Sequence, residues 1–534
     1  MKRKLLTALL CGALMLTSLA GCGQGAENQS GTSAGSESAV KDELVFVNYR
    51  DIRDLNPHLY AGEMYAQSIL YDTLVSNTSE GYVGCLAEDW TISEDGRTYT
   101  FNIRDGVTFS DGTPCDANAI LANFNAILEN RERHTWLEMM NLLVGVSAPD
   151  DDTFVIEMSE PYYPMLTELA CIRPFAMISP NCMIDGSTKD GVNGYIGTGP
   201  YVLTDFVTDE YAVFERNENY WGEKPAIRKI TVKVIPDNQT RIMALENGEI
   251  DLIFGKNMLD ADAISQYVDS DKFTVGLSDP TSTRHIVLNT THDILGDKSV
   301  RQALQYATNR QAISEGIFYG LEPAADTLYS STVPYCDVDL EPYAYDADEA
   351  ARLLDEAGWT MGSDGVRAKD GQKLALDLLY NSDSVTEKTI SEYLQSEYLK
   401  LGISLNIHGE EEQSYRDNMK AGNFDMVFNI CWGMPYDPQS SLAAMRAPVY
   451  GDYAAQQGLE DKAEIDQAIT DILTSTDETK RQELYTFVLT RLHEDAVYLP
   501  LTFETNKALY TSDLKGVHFG TDQYDVDFAS MYFE

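Results

Sequence analysis

The chain has 534 residues, 43% of them apolar, and its 85 Asp and Glu against 39 Lys and Arg give a formal charge of −46. That length exceeds one ordinary domain and predicts two or three lobes. So acidic a surface disfavours nucleic acid and anionic lipid headgroups as partners, and it repels an anionic ligand unless arginines build a local positive pocket.

The chain opens on Lys2, Arg3 and Lys4, followed by an apolar run over residues 5–20 that is too short for a comfortable membrane span. This is the pattern of a secretory signal. Its ending, Leu19-Ala20-Gly21-Cys22, resembles a bacterial lipoprotein signal, which implies cleavage before Cys22 and lipidation of that cysteine. Residues 1–22 are expected to be signal peptide. The remainder is expected to work outside the cytoplasm, at the cell surface or in the periplasm, held to the membrane by a lipid anchor, since two or more acyl chains give a stable one. Residues 23–40 are rich in Gly, Ser, Ala and Gln, carry no aromatic, and read as a flexible linker.

Globular patterning starts at Glu43-Leu44-Val45-Phe46-Val47. Tyr99, Phe101 and Ile103 alternate with polar residues, and Asp105-Gly106 predicts a hairpin returning through Val107 and Phe109. Ile230, Val232 and Val234 alternate with Lys229, Thr231 and Lys233 and predict another strand. Val300, Ala303, Leu304 and Ala307 fall at helical spacing. Asp346 and Glu349 form a capping box ahead of a helix carrying Ala350, Leu353, Leu354 and Ala357, which Gly358 is placed to end. Leu484, Val488 and Leu492 mark a late helix. Helices and strands mixed over this length predict an α/β body with more than one sheet.

Of eight cysteines, Cys11 leaves with the signal and Cys22 carries lipid. Cys85, Cys115, Cys171, Cys182, Cys336 and Cys431 are scattered without CxxC spacing. An exported protein can pair them, and buried thiols are equally compatible with the pattern. There is no GxSxG elbow in the globular body, and no HExxH, P-loop or strand-following GxGxxG motif, so no enzyme is expected.

Four segments resemble the large solute-binding proteins of ABC importers, the group that captures peptides and nickel complexes. They are 197–201 (GTGPY), 216–221 (RNENYW), 299–307 (SVRQALQYA) and 348–359 (DEAARLLDEAGW). Further runs are similar to the nickel-binding branch: 55–60 (LNPHLY), 130–138 (NRERHTWLE), 173–175 (RPF), 217–230, 432–438 (WGMPYDP), 456–459 (QQGL) and 489–500 (LTRLHEDAVYLP). The resemblance runs from about residue 43 to the C-terminus. It implies a two-lobed, periplasmic-binding-protein-like hinge fold of the large peptide/nickel-binding type. Lobe I would comprise 41–280 plus 505–534 and lobe II 281–504, with crossings near 282–290 and 501–505. It also implies ABC permease and ATPase partners and a monomer that closes around its ligand, without a resident cofactor.

Within that branch the matching Arg133, Trp136 and Arg173 face the cleft, Tyr60 and Met64 line one wall, and Trp432 and Tyr436 line the other. Arg133 and Trp136, three apart, share a face if they lie on a helix. A guanidinium fits a carboxylate bidentately, and aromatic walls exclude water and strengthen the grip. The seven histidines show no ligand spacing, and His134 is expected to point away from the face of Arg133. His408 beside Glu410, Glu411 and Glu412 reads as a solvated acidic loop. A nickel ion is therefore expected as cargo inside a small carboxylate-bearing chelate, nickel-histidine or a metallophore, with no assigned protein metal ligand. The branch places a metal-contacting histidine where this chain has Tyr450, so the chelate supplies the donors or the ligand differs. Cys431 and Cys171 are candidate soft donors near the cleft. The alternative is a di- or oligopeptide-binding protein of the same fold. Such proteins place an aspartate three residues after the cleft tryptophan, where this chain has Pro435, with Asp437 a possible substitute.

Overall fold

The computed structural model describes residues 41–534 apart from 79, 257 and 434–436. The signal peptide, the linker, Cys22 and Tyr436 lie outside the described residues. Ten strands make the main sheet: β1 (Glu43–Asn48), β2 (Tyr201–Val207), β3 (Tyr211–Arg216), β4 (Lys229–Val234), β5 (Leu252–Phe254), β6 (Phe273–Leu288), β7 (Ala375–Asn381), β8 (Ser404–Glu410), β9 (Met426–Ile430) and β10 (Tyr498–Thr511). Their order across the sheet is β2-β3-β4-β1-β5-β10-β6-β9-β7-β8.

The first half of the sheet is built around β1, which lies parallel to both β4 and β5. Phe46 enters a core with Phe214, Ile230 and Leu252, while its neighbour Val47 enters another with Ile242, Leu245 and Ile253. A strand apolar on both faces needs cover on both, the condition of a parallel sheet. β4 is the strand foreseen at 229–234, with Ile230 and Val232 buried.

The second half repeats the arrangement with β7 parallel to β8 and β9. Leu376, Leu378, Met426 and Phe428 pack against Val300, Ala303, Leu304 and Ala307. Those four lie on helix Lys298–Ala307, as their spacing predicts. Helix Ala347–Glu356 is capped by Asp346, which accepts the amides of Asp348 and Glu349 at 3.0 and 2.9 Å. Gly358, at φ +87°, follows it. The capping box is only half made: the Glu349 carboxylate turns to Arg352 (2.7 Å), and the Asp346 amide donates to the Tyr306 carbonyl. Leu484, Val488 and Leu492 lie on helix Glu478–Glu494.

The two halves are joined by β6 and β10, the longest strands of the sheet. They pair antiparallel over most of their length, with register breaks between Leu277 and Pro280, between Pro280 and Ser282, and between Arg284 and His285. Pro280 has no amide to offer a ladder, which accounts for the irregularity around it.

A separate four-stranded sheet, in the order Ala87–Ile92, Thr98–Ile103, Thr153–Met158, Leu143–Ser147, corrects one expectation. Thr98–Ile103 has a partner on each side, so no edge remains for Val107 and Phe109. They close a smaller loop around Asp111-Gly112 instead: Phe109 donates to the Thr113 carbonyl and Cys115 to that of Val107. Both Asp-Gly steps turn the chain, but only the second has arms that pair. Helix Ala117–Glu129 covers this sheet, with Phe124 against Phe154 at 4.8 Å.

All six cysteines of the body are buried, and Cys85, Cys115, Cys182, Cys336 and Cys431 are thiols. Among the described residues no helix is long and apolar enough to cross a membrane.

Candidate functional site

Parallel strands present their carboxyl ends on one edge, and in open α/β sheets ligands sit beyond those ends. Here both halves of the sheet send their carboxyl ends to one cavity of about 740 Å3. Arg50 follows β1 and Lys256 follows β5. Asn381 ends β7, Glu412 follows β8, and Cys431 and Trp432 follow β9. All six line the cavity. Arg284, from the crossing strand β6, and Gln523 and Tyr524, from the C-terminal segment, line it as well.

Of the residues expected from sequence, Tyr60, Met64, Trp136, Arg173, Trp432 and Tyr450 line this cavity. Arg133 does not: it is exposed, and it is not among the lining residues. The shared face with Trp136 requires a helix running through both, but the helical turn is a short 3-10 segment, Arg131–His134, that ends before Trp136. Tyr436 falls outside the described residues.

Four rings form a continuous line. Tyr60 and Trp136 stand edge-on at 6.1 Å, Trp136 and Trp432 at 6.4 Å, and Trp432 and Tyr450 at 5.8 Å. Such edge-to-face pairs are favourable beyond simple area burial. The Trp136 indole N–H donates to Tyr60 Oη at 2.8 Å, and Tyr60 Oη lies 2.7 Å from His134 Nδ1. His134 is fully buried and turned toward Tyr60. Burial, with Arg133 adding, pushes its pKa down to about 4, so the ring is neutral. Burial likewise pushes the Tyr60 phenol up to about 12.

Five cations line the cavity, and sequence reasoning found only Arg173 among them. Arg173 Nη1 donates to the Tyr60 carbonyl at 2.9 Å. Arg50 pairs with Glu63 at 2.5 Å, and Arg416 pairs with Glu412. Lys256 donates to Ser282 Oγ at 2.6 Å and pairs with Glu504, which also takes Arg284. Glu322 stands 3.6 Å from Arg284 and 3.2 Å from Lys507, completing a buried charge cluster where β6 and β10 cross. Burial opposes ionisation of Glu504, but Arg284 and then Lys256 outweigh it and hold the carboxyl well below its ordinary range. A charged residue inside an otherwise extended crossing was the available signal for Arg284. Arg50 and Lys256 had only their position after strands to mark them.

Gln523 ties the walls together. Its Nε2 donates to the Trp432 carbonyl at 2.7 Å, and its Oε1 lies 3.4 Å from Lys256 Nζ. Gly433 makes room for it, because a Cβ there would lie 2.0 Å from Gln523 Nε2, and its φ of +78° favours glycine in any case.

The sulfur candidates are not placed to bind metal. Cys431 lines the cavity, but its thiol donates to the Leu328 carbonyl at 3.2 Å, and burial pushes its pKa well up. The thiolate is the form that ligates. Cys171 donates to the Thr167 carbonyl and is not among the lining residues. His408 is exposed and meets Asp377 at 3.3 Å. Among the described residues no group of three or more His, Cys, Asp or Glu is placed to hold a metal ion. Asp437 is buried and accepts the Gly433 amide at 2.8 Å. Burial pushes its pKa up to about 6, and it is not among the lining residues.

Comparison with known proteins gives three results. The family described as bacterial extracellular solute-binding proteins, family 5 Middle, matches residues 81–452. The nickel-binding periplasmic protein of Escherichia coli K12 is 41% identical over 499 residues, covering 92% of this chain and 95% of that one. The crystal structure of NikA from Brucella suis in complex with Fe(III)-EDTA superposes with a TM-score of 0.90 at 43% identity, covering 92% of this chain and all of that one.

Proposed function

The chain belongs to family 5 of the bacterial extracellular solute-binding proteins, a two-lobed mixed α/β fold, and on that premise we propose that it captures nickel as a small carboxylate-bearing chelate for an ABC importer. The observation that carries this reading is the cavity itself: about 740 Å3, walled by Tyr60, Trp136, Trp432 and Tyr450 and edged by Arg173, Arg50, Lys256, Arg284 and Arg416. A volume of several hundred Å3 suits a drug-sized molecule. Guanidinium groups offer paired donors for carboxylates. The metal would then arrive with its own ligands, and the protein would grip the chelator's acid groups. The Brucella suis relative, described with Fe(III)-EDTA, provides a parallel of this kind.

The lobes are proposed as 41–280 plus 505–534 and 281–504. The support is that β6 and β10 lie at the centre of the sheet and carry their register breaks between residues 277 and 285. Cys22 is proposed as the lipid anchor on the strength of its Leu-Ala-Gly-Cys setting. A permease and an ATPase would receive the cargo, the binding protein would act as an extracytoplasmic monomer, and the cargo would leave chemically unchanged. A peptide cargo fits the site less well, because Asp437, the acid nearest the cleft tryptophan in sequence, does not line the cavity, and two of the acids that do, Glu63 and Glu412, are already paired with Arg50 and Arg416.

Isothermal calorimetry tests the reading. Nickel with L-histidine or a tricarboxylate is expected to bind tightly, and bare nickel weakly. Equal affinity with and without chelator overturns the chelate reading. A ladder of peptides in native mass spectra of the protein purified from its source would replace it with the peptide one.

A further inference from the structure

We infer that His134 is the positioning residue of the cavity's aromatic wall, although it does not line the cavity. Tyr60 Oη stands between two partners, Trp136 Nε1 at 2.8 Å and His134 Nδ1 at 2.7 Å. An indole N–H only donates, so the Tyr60 oxygen accepts there, and the same hydroxyl shares one proton with His134 Nδ1, in the direction the imidazole tautomer sets. The hydroxyl is thus engaged by two partners, and it orients rings instead of meeting cargo.

The fixed rings are the ones that matter. The His134 and Tyr60 rings meet edge-on at 5.5 Å, and Tyr60 and Trp136 at 6.1 Å. Tyr60 also holds Arg173 through its carbonyl at 2.9 Å. One fully buried imidazole therefore sets, through Tyr60, the pose of the tryptophan and of the guanidinium on the same wall. Rigid support of this sort is what keeps a binding site in its productive geometry. A histidine that only filled space would not need its nitrogen at that distance from Tyr60.

The inference rests on the reading of this cavity as the cargo site, and its test separates the two. In the full-length protein, His134→Phe keeps an aromatic ring and removes the hydrogen-bonding nitrogen, while His134→Asn keeps a polar group able to accept or donate near the position of Nδ1. Nickel with two equivalents of L-histidine is the calorimetric probe. His134→Phe is expected to weaken binding at least tenfold and His134→Asn to restore most of the loss. Tyr60→Phe, which deletes the shared hydroxyl from the other end, should match His134→Phe and add little to it in the double variant. Intrinsic tryptophan emission should shift in His134→Phe, recover in His134→Asn, and lose its sensitivity when Trp136 is replaced by Phe. Binding by His134→Phe within twofold of wild type, or an Asn variant as weak as the Phe one, overturns the inference. If His134→Phe fails to fold, the Tyr60→Phe and His134→Asn arms decide. A wild type that does not bind the probe sinks the cargo reading, and the emission series still decides the role of His134.

Discussion

Trp136 and Trp432 meet edge-on across the cavity, their ring centroids 6.4 Å apart and their planes at 63°. One follows the short helical turn Arg131–His134 and the other follows β9, so the contact joins segments distant in sequence at the cavity wall. Gln523 reinforces it from the C-terminal segment through the Trp432 carbonyl. The aromatic line and the charge cluster below it make the predictions specific.

Arg173→Ala should weaken capture of nickel-histidine, and Arg133→Ala should leave it within about twofold. Losing a charged hydrogen-bond partner costs about 1.5–3 kcal/mol, or roughly 10- to 150-fold in Kd. Calorimetry on the two variants at pH 7 checks this. An Arg133 variant as weak as the Arg173 one would return Arg133 to the site.

Gly433→Ala should loosen the wall that carries Trp432. The new methyl group collides with the Gln523 amide, which then swings away from the Trp432 carbonyl, and the φ of +78° adds strain. About 1–3 kcal/mol of stability should be lost, and nickel-histidine binding should weaken. Urea denaturation and calorimetry on the same sample test the two effects. Unchanged values for both would mean that Gln523 does not brace the wall.

Glu504→Gln should destabilise the fold by about 3–5 kcal/mol near neutral pH, the cost of leaving buried Lys256 and Arg284 without their shared anion. The sign with pH follows from a carboxyl held low in the native state. Its contribution is complete above the unfolded-state pKa, about 4.3, and fades as pH falls below it. The gap between wild type and variant in denaturant midpoint should therefore narrow on acidification. A gap independent of pH would contradict the ion-pair account.

Glu168→Gln should behave in the opposite way. Glu168 is buried, receives the Tyr162 hydroxyl at 2.5 Å and the Met139 amide at 3.1 Å, and burial still pushes its pKa up to about 7. The native state thus holds a proton that the unfolded chain releases near pH 4.3, and wild-type stability falls as pH rises between those values. The glutamine variant avoids that loss. It should gain relative to wild type from about pH 4.5 to 7 and level off above, as melting curves at several pH values would reveal.

Much of the fold was legible because periodicity reports burial directly. The alternation at 229–234 and the spacing of Val300, Ala303, Leu304 and Ala307 reflect which side chains face a core, and both became the expected elements. Local turn chemistry was weaker evidence. Asp105-Gly106 turns the chain as expected, but the partner strands of Thr98–Ile103 are chosen by tertiary packing. At the site, the resemblance pointed to Tyr60, Trp136, Arg173, Trp432 and Tyr450, which line the cavity, and to Arg133, which does not. Lys256, Arg284 and Glu504 could not be read as one cluster, because their proximity exists only once β5, β6 and β10 lie side by side. His134 turns away from the face of Arg133 as expected, but its link to Tyr60 was not legible, because that partner comes from a distant segment.

The joining of β6 to β10 bears on which movements the main sheet allows. Two ribbons bonded rung to rung can flex or twist together, but neither slides along the other without breaking the ladder. Under the lobe division proposed above, opening would be a swing about this fixed axle, returning Trp432 to Trp136 in the same alignment.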